Sequence, residues 1–353
     1  MSRIAVGWDL HRRFSMASVV EQPDPNAPDK FRVVRRKRLE HDDRQAMREW
    51  LAELPSGTPI AMEGAFGWQW VADLMNELHL EPHLGHPPAL KVLAKNEAKS
   101  DRADSDRLGR FWLRGTFPQA YLSTPEVRQI RERIRYRMAL AALRTGVKNR
   151  IHAILHRQGV LHSFSDLFGA QGRRFLTQLT LPADTQYVLT SWLTHLDQVL
   201  ALLAEVEAWM EANLEIDDVV KRLQTLPGIG MILAHVIRAE VGEITRFANQ
   251  RKFTSYVGLA PRADDSADRH GRRHLGPACN HVLRWAFIEA AAATIRAKNC
   301  PRRWRQLHAR LCHTRGAQAA RVAVARELAE LVYVLWHKGE SYRETPTPRP
   351  RGG

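Results

Sequence analysis

"RIAVGWDL", residues 3–10, alternates in the two-residue rhythm of a β-strand. On a strand, Ile4, Val6 and Trp8 share one face, and Ala5, Gly7 and Asp9 share the other. A carboxylate at the end of so apolar a strand is costly to bury unless it is paired or binds a cation. Taken alone, Asp9 also fits a strand-terminal acid facing water.

Working outward, "FSMASVVEQ" (14–22) and "FRVVRRKRL" (31–39) read as two further strands, separated by short polar or Pro-rich turns. "DDRQAMREWLAEL" (42–54) reads as a helix, "TPIAMEG" (58–64) as a buried strand, "FGWQWVADLMNEL" (66–78) as a helix and "LEPHLGHP" (80–87) as a short strand. Helices are expected over 88–96 and 101–115. Three strands followed by alternating helix and strand predict a mixed sheet with helices on its faces. That order is characteristic of the ribonuclease H-like fold. Glu63 ends the strand "PIAMEG" as Asp9 ends the first one.

A second group of acids follows in "KSDRADSDRLGRFW", residues 99–112. At about 100° per residue, Asp101 and Asp104 lie about 60° apart on one helix face, whereas Asp106 points elsewhere, about 140° from Asp101. One reading makes Asp101 a helix cap and Asp104 a first-turn acid favoured by the helix dipole. The other makes Asp9, Glu63, Asp101 and Asp104 a metal site. Four such carboxylates can converge on two Mg²⁺ ions about 4 Å apart that act on a phosphodiester. Hard oxygen donors suit Mg²⁺ rather than zinc.

The 353-residue chain is 44% hydrophobic and 26% charged, which fits two or three globular domains. Its net charge of +15 points to a polyanionic partner, nucleic acid first. No run of about 18 apolar residues and no apolar N-terminal signal is found, so no membrane partner is expected. Cys279, Cys300 and Cys312 are too few for a disulfide framework and form no four-ligand metal pattern, which fits a reducing cytoplasm.

From Pro125 the pattern becomes helical. Residues 125–159 read as one long basic helix, with Pro at its start and Gly at its end. Its Arg128, Arg131, Arg133, Arg135 and Arg137 are spaced to follow a phosphate backbone. A second long helix, 184–214, repeats Leu189, Trp192, Leu196, Val199, Leu203, Val206 and Met210 in a heptad rhythm. This fits either an oligomerising coiled coil or a helix pair within one chain. A third, mostly helical unit begins near 217. In its "LPGIG" turn, Gly228 and Gly230 would let a phosphate reach the amides of the next helix, as in a helix-hairpin-helix contact. Ser266 lies on a polar stretch among Arg262, Arg269, Arg272 and Arg273, which suits phosphate handling. The tail "TPTPRPRGG" has no apolar residue and is expected to be disordered. The expected domains are 1–124, a helical linker 125–216, a C-terminal unit 217–340 and a tail 341–353.

"GWDLHR" (7–12), "AMEG" (61–64) and "KSDRADSDRL" (99–108), with "LQTLPGIG" (223–230), "AEVGEITRF" (239–247), "YVGLAPR" (256–262) and "LRWAFIEAAA" (283–292), make a specific conjunction. Together they resemble the DEDD transposases of bacterial insertion sequences, the bridge-RNA-guided recombinases, and their relatives the Piv-type DNA invertases. The resemblance implies an α/β RuvC-like nuclease domain, a helical coiled-coil linker and a small all-α C-terminal transposase domain. It places the acidic tetrad on Asp9, Glu63, Asp101 and Asp104, with bound Mg²⁺. It places a serine nucleophile, which joins covalently to DNA, on Ser266. It further implies donor and target DNA chosen by a structured RNA, and a homo-oligomer, dimer or tetramer, whose two sites come from different protomers. The chain departs from the family pattern at Ala267, where Gly follows the serine, in "RHLGPACN", and at Cys279, where Gly is usual. A RuvC-like junction resolvase or nuclease, needing only the acids and water, is the alternative.

Overall fold

The computed structural model describes residues 3–24, 26–27, 29–94, 100–262, 274–276 and 279–344. These fall into two compact units, Met1–Pro125 and Glu126–Gly353. Of the expected tail 341–353, residues 345–353 lie outside the described residues, as does the segment 263–273, whereas 341–344 are described.

In the first unit, β1 (Arg3–Leu10), β2 (Phe14–Gln22), β3 (Arg32–Glu40), β4 (Pro59–Glu63) and β5 (Glu81–Gly85) form one sheet in the order β3-β2-β1-β4-β5. β1, β2 and β3 pair antiparallel, while β1, β4 and β5 run parallel. The helices α1 (Arg44–Ala52), α2 (Trp68–Glu77), α3 (Pro87–Leu93) and α4 (Asp101–Leu113) complete the unit. The expected mixed sheet with helices on its faces is what forms.

The alternation read in residues 3–10 separates two cores. Val6, Trp8 and Leu10 pack with Ile60 and Met62 against Met47, Trp50 and Leu51 of α1 and Val71, Ala72 and Met75 of α2. On the opposite face Ala5 and Val20 meet Leu113, and Ala61 meets Leu108 and Phe111 of α4. α4 rests directly on the backbone of β1. A Cβ on Gly7 would stand 1.8 Å from the Ser105 carbonyl oxygen, and one on Gly109 would stand 2.7 Å from Val20. Two side-chain-free positions thus let a helix and a strand touch, and the buried Ser18–Ser105 hydroxyl pair, 2.7 Å apart, lies at the same contact. α4 runs antiparallel to β1: Leu113 packs near its start, Ser105 opposes Gly7, and Asp101 lies beyond its C-terminal end.

In the second unit, α5 (Pro125–Arg157), α6 (Ala170–Gln178) and α7 (Ala183–Asn213) are followed by α8 (Asp218–Gln224), α9 (Met231–Val241), α10 (Gln250–Val257), α11 (His281–Arg296), α12 (Arg302–Arg315) and α13 (Ala317–Lys338). Arg137 of α5 bonds Glu207 of α7 at 2.9 Å, and the Arg150 guanidinium lies 5.1 Å from the Trp192 ring, so α5 and α7 pack antiparallel. All seven heptad positions of α7 face cores shared with α5. The apolar stripe is therefore filled within the chain, as a helix pair. Ile134, Met210 and Leu214 continue this packing into the core of α8–α13, so one core crosses residue 216. Past α13, Tyr342 stacks on Trp304 at 5.9 Å and its amide bonds the Thr225 hydroxyl at 2.8 Å.

Candidate metal centre

Asp9 and Glu63 reach one side of the sheet through strand register. β1 and β4 are parallel with Trp8 opposite Met62, so each acid stands one residue past a registered pair. Ala61, two residues before Glu63, packs towards α4, so Glu63 belongs to that face by the pleat. Asp101 and Asp104 arrive from the start of α4. The cap of α4 is Ser100, whose hydroxyl accepts from the Ala103 amide at 3.2 Å. Asp101 is thus not consumed as a helix cap, the role that competed with metal binding.

Among the described residues, Asp9, His11 and Asp101 form one group whose ligand atoms all lie within 4.8 Å of one another. His11 Nε2 is 2.9 Å from Asp9 Oδ2 and 3.5 Å from Asp101 Oδ1. Its ring stacks on Phe14 with centroids 4.5 Å apart, which fixes its plane. Burial pushes the Asp9 carboxyl above its ordinary range, His11 opposes this, and Asp104 and Asp101 add to it by like-charge repulsion. The site thus gathers more negative charge than its protein partners neutralise. A hard dication fits that imbalance and that donor set.

Asp104 pairs with Arg107 one turn along the helix. Asp106 turns away, as its helix angle requires, and accepts two bonds from Arg36 of β3 at 2.9 and 2.6 Å. Burial alone would raise Asp106, but the bonds from Arg36 and Ser18 hold its carboxyl below the usual range. His11 was missed in the sequence. Its signal, a histidine two residues after a strand-end aspartate, was present but lay in the turn beyond the strand.

In the second unit, several basic residues expected on nucleic acid are engaged within the chain. Arg131 donates to the Ala239 and Glu240 carbonyls at 2.7 and 3.2 Å, closing the C-terminal end of α9. Arg135 grips the Glu240 carboxylate at 2.8 and 3.0 Å. Arg128 also has partners and is not free. Gly228, at φ +80°, is a packing position: a Cβ there would stand 2.2 Å from the Ala290 carbonyl oxygen of α11. Gly230 differs, with nothing within 4 Å of its Cβ position and no side-chain cap on the start of α9. β6 (Pro261–Arg262) pairs antiparallel with β7 (His274–Leu275), bringing together the two ends of the segment that holds Ser266. Ser266, Arg269, Arg272 and Arg273 lie outside the described residues, as does the Arg262 side chain. Among the described residues, no helix is long and apolar enough to cross a membrane.

Comparison with known proteins gives this arrangement its class. Residues 6–158 match the DEDD-type model for IS110 elements, described as "Transposase", and residues 220–308 match the "Transposase IS116/IS110/IS902 family". The chain is therefore a DNA transposase. It belongs to the IS110/IS116 family and carries both of that family's domains. It is 24% identical to a "Probable family 20 transposase" of Pseudomonas aeruginosa, covering 97% of this chain and 99% of the relative. It is 25% identical to the "Transposase for insertion sequence element IS1111A" of Coxiella burnetii, covering 80% of this chain and 79% of the relative. An IS116 protein of Streptomyces clavuligerus is 28% identical, covering 60% of this chain and 53% of the relative.

Proposed function

We propose that this transposase cleaves and rejoins DNA strands with two sets of residues, a RuvC-like acidic site and a serine nucleophile. The observation that carries the reading is the convergence of Asp9 and Asp101, with His11, at the carboxyl end of β1, beside the strand end that bears Glu63. The strand order β3-β2-β1-β4-β5, antiparallel then parallel, supports a ribonuclease H-like fold for this unit. Asp9, Glu63, Asp101 and Asp104 would hold Mg²⁺, two ions in the full site. When bound, the metal supplies charge neutralisation at a phosphodiester and activation of an attacking oxygen.

Ser266 is assigned the covalent step. Its Oγ forms a bond to phosphorus as the bond to the leaving strand breaks, and that strand departs as a free hydroxyl. The phosphoserine ester stores the energy needed for rejoining, which hydrolysis by water would dissipate. Arg262, Arg269, Arg272 and Arg273 would offset the phosphate charge during attack. The open start of α9 at Gly230 supports a backbone contact to phosphate there. A structured guide RNA and a homo-oligomer of two or four chains complete the reading, in the cytoplasm.

The test is a set of three variants on supercoiled and nicked DNA. Asp101→Asn and Asp104→Asn abolish strand cleavage and retain DNA binding. Ser266→Ala abolishes a covalent protein–DNA adduct, mapped by peptide sequencing, while metal binding persists. Efficient cleavage by Ser266→Ala with no adduct would instead establish a metal-only nuclease. Sequencing the RNA that co-purifies with the protein tests the guide.

A further inference from the structure

We propose a second metal site, separate from the acidic centre, at the C-terminal end of α5: His152, His156 and His162 bind a borderline transition-metal dication of the Zn²⁺ class. His152 and His156 stand four residues apart on α5, one turn along the same helix face. That spacing presents two imidazoles to one ion, as in the zinc-binding helices that carry a His pair at i and i+4. The third ligand comes from the chain's reversal at the helix end. Gly159, at φ +66°, takes the left-handed conformation that stops the helix, and the Val160 amide bonds the Leu155 carbonyl at 2.9 Å. The reversal carries His162 back beside His152, their ring centroids 6.0 Å apart and their planes 32° apart.

The three histidines line an open recess of about 590 Å³, together with Ala153, Leu155, Gly159, Val160 and Leu161. No carboxylate is part of the lining, so the donors are all imidazole nitrogens. Imidazole suits Zn²⁺, Cu²⁺ and Ni²⁺ and leaves Mg²⁺ to the acidic site of the other unit. With Zn–N bonds of about 2.0–2.1 Å, two imidazoles in a tetrahedral site have ring centres about 5 Å apart. The observed 6.0 Å therefore closes by small side-chain rotations. Those rotations are needed: among the described residues, the Asp9 group alone has three donor atoms within 4.8 Å of one another. All three histidines are exposed, so the rotations have room, at the expense of the contacts of His152 with Phe168 and of His162 with Phe164, whose rings stack 6.1 Å apart.

The floor beneath the recess is a packed apolar core. Ile151, Ile154 and Leu155 are buried against Leu167, Leu176, Leu189 and Leu193, with Val160 and Phe164 packed on them. Phe168 edges the His152 ring at 5.3 Å. An ion held by the three imidazoles would pin the reversal 158–164 onto the end of α5 and stiffen the far end of the helix pair. The fourth coordination position would stay open to water, as three-ligand sites leave it.

The experiment is Zn²⁺ titration of the full chain, stripped with a chelator, by competition with a chromophoric indicator. It is run in an Asp9→Asn/Asp101→Asn background so that the acidic centre contributes nothing. We expect one site, lost in the His152→Ala/His156→Ala/His162→Ala protein. Each single variant should weaken it by more than about tenfold, because loss of even an outer partner of a metal ligand costs 10–100-fold. Co²⁺ substitution should give the visible absorption of a tetrahedral ion, absent in the triple variant. Circular dichroism of the triple variant should match the parent, since the residues replaced are exposed. Unchanged Zn²⁺ affinity in the triple variant would overturn the site. So would a His162→Ala protein that binds as tightly as the parent, which would leave only a surface pair.

Discussion

Asp9, partly buried at the end of β1, and Glu240, fully buried in the second unit, are both carboxylates withdrawn from water, and the protein treats them in opposite ways. Glu240, 1% exposed, receives two bonds from Arg135 and a third from Asn280 Nδ2 at 2.8 Å. Asn280 in turn caps α11, its side chain accepting from the Leu283 amide at 3.0 Å. Every lone pair that matters has a partner, so Glu240 joins α5, α9 and α11 into one frame. Asp9 faces two like charges and a single imidazole, and burial raises its pKa. A buried acid that is saturated holds structure together. A partly buried acid left short of positive charge, as Asp9 is, marks a candidate functional site, in keeping with the proposed metal centre.

The largest effect expected from breaking this contrast is on catalysis at Asp9. Asp9→Asn should reduce strand cleavage by more than about a hundredfold, since loss of even an outer partner of a metal ligand costs 10–100-fold. Its unfolding midpoint without divalent ions should not fall, because the substitution removes an unfavourable charge. A clear loss of stability would mean that Asp9 is structural, like Glu240. His11→Ala should shift preference from Mn²⁺ towards Mg²⁺ in direct metal titration, because an imidazole donor favours the softer ion.

Next comes the saturated acid. Arg135→Ala leaves Glu240 buried with Asn280 alone, and breaking a buried pair from one side costs about 3–5 kcal/mol. Because Arg135 is 53% exposed and water can reach the vacated space, the lower end is expected. Denaturant unfolding of the full chain measures it. If Arg135 instead served mainly to contact nucleic acid, the variant would lose affinity for DNA at low salt and keep its midpoint.

The contrast also explains what could be read from the sequence. Local rhythm was legible: the two faces of β1, the succession of strands and helices along the chain and the long helices follow from alternation and from Pro and Gly punctuation. The turn of Asp106 away from Asp101 was legible from 100° of helix rotation per residue, and the structure pairs it with Arg36. What stayed hidden rests on distant partners. Arg131 and Arg135 looked like one basic face, yet their acceptors lie 108 and 105 residues away on α9. Gly228 looked like a phosphate contact because a glycine turn before a helix suits one. Its constraint is Ala290, on a helix that no local pattern links to it. The α7 stripe left its partner open, and only the antiparallel match with α5 assigns it within the chain.

A smaller effect is expected at Asp106. Asp106→Asn removes the charge that Arg36 pairs with, and Arg36 is 43% exposed. The loss should stay below about 1 kcal/mol, as for other pairs open to water. Cleavage should remain within a few-fold of the parent. A collapse of cleavage comparable to that of Asp9→Asn would show that the face assignment of α4 is wrong.

The smallest effect, and the finest test of compensation, is at Asp217. This residue caps α8 through the Val220 amide at 2.8 Å and pairs with Arg238 at 2.8 Å. Burial pushes its carboxyl up, but the Arg238 bond and the Val220 amide outweigh that and hold it below its ordinary value of 3.8. A depressed folded-state pKa gives stability that is present above the ordinary value and lost as pH falls through the folded one. Asp217→Asn keeps a good capping side chain and deletes only the charge. Both partners are about a third exposed, so the cost at neutral pH should be under about 1 kcal/mol. The difference between parent and variant should be constant down to about pH 4 and should shrink below it, as the parent's carboxyl takes up its proton. Urea unfolding at stepped pH values reads this directly. A difference that persists undiminished at the lowest pH where the protein still folds would show that the carboxylate's charge contributes nothing, and that Arg238 is held by its bond to the Gly242 carbonyl at 2.7 Å instead.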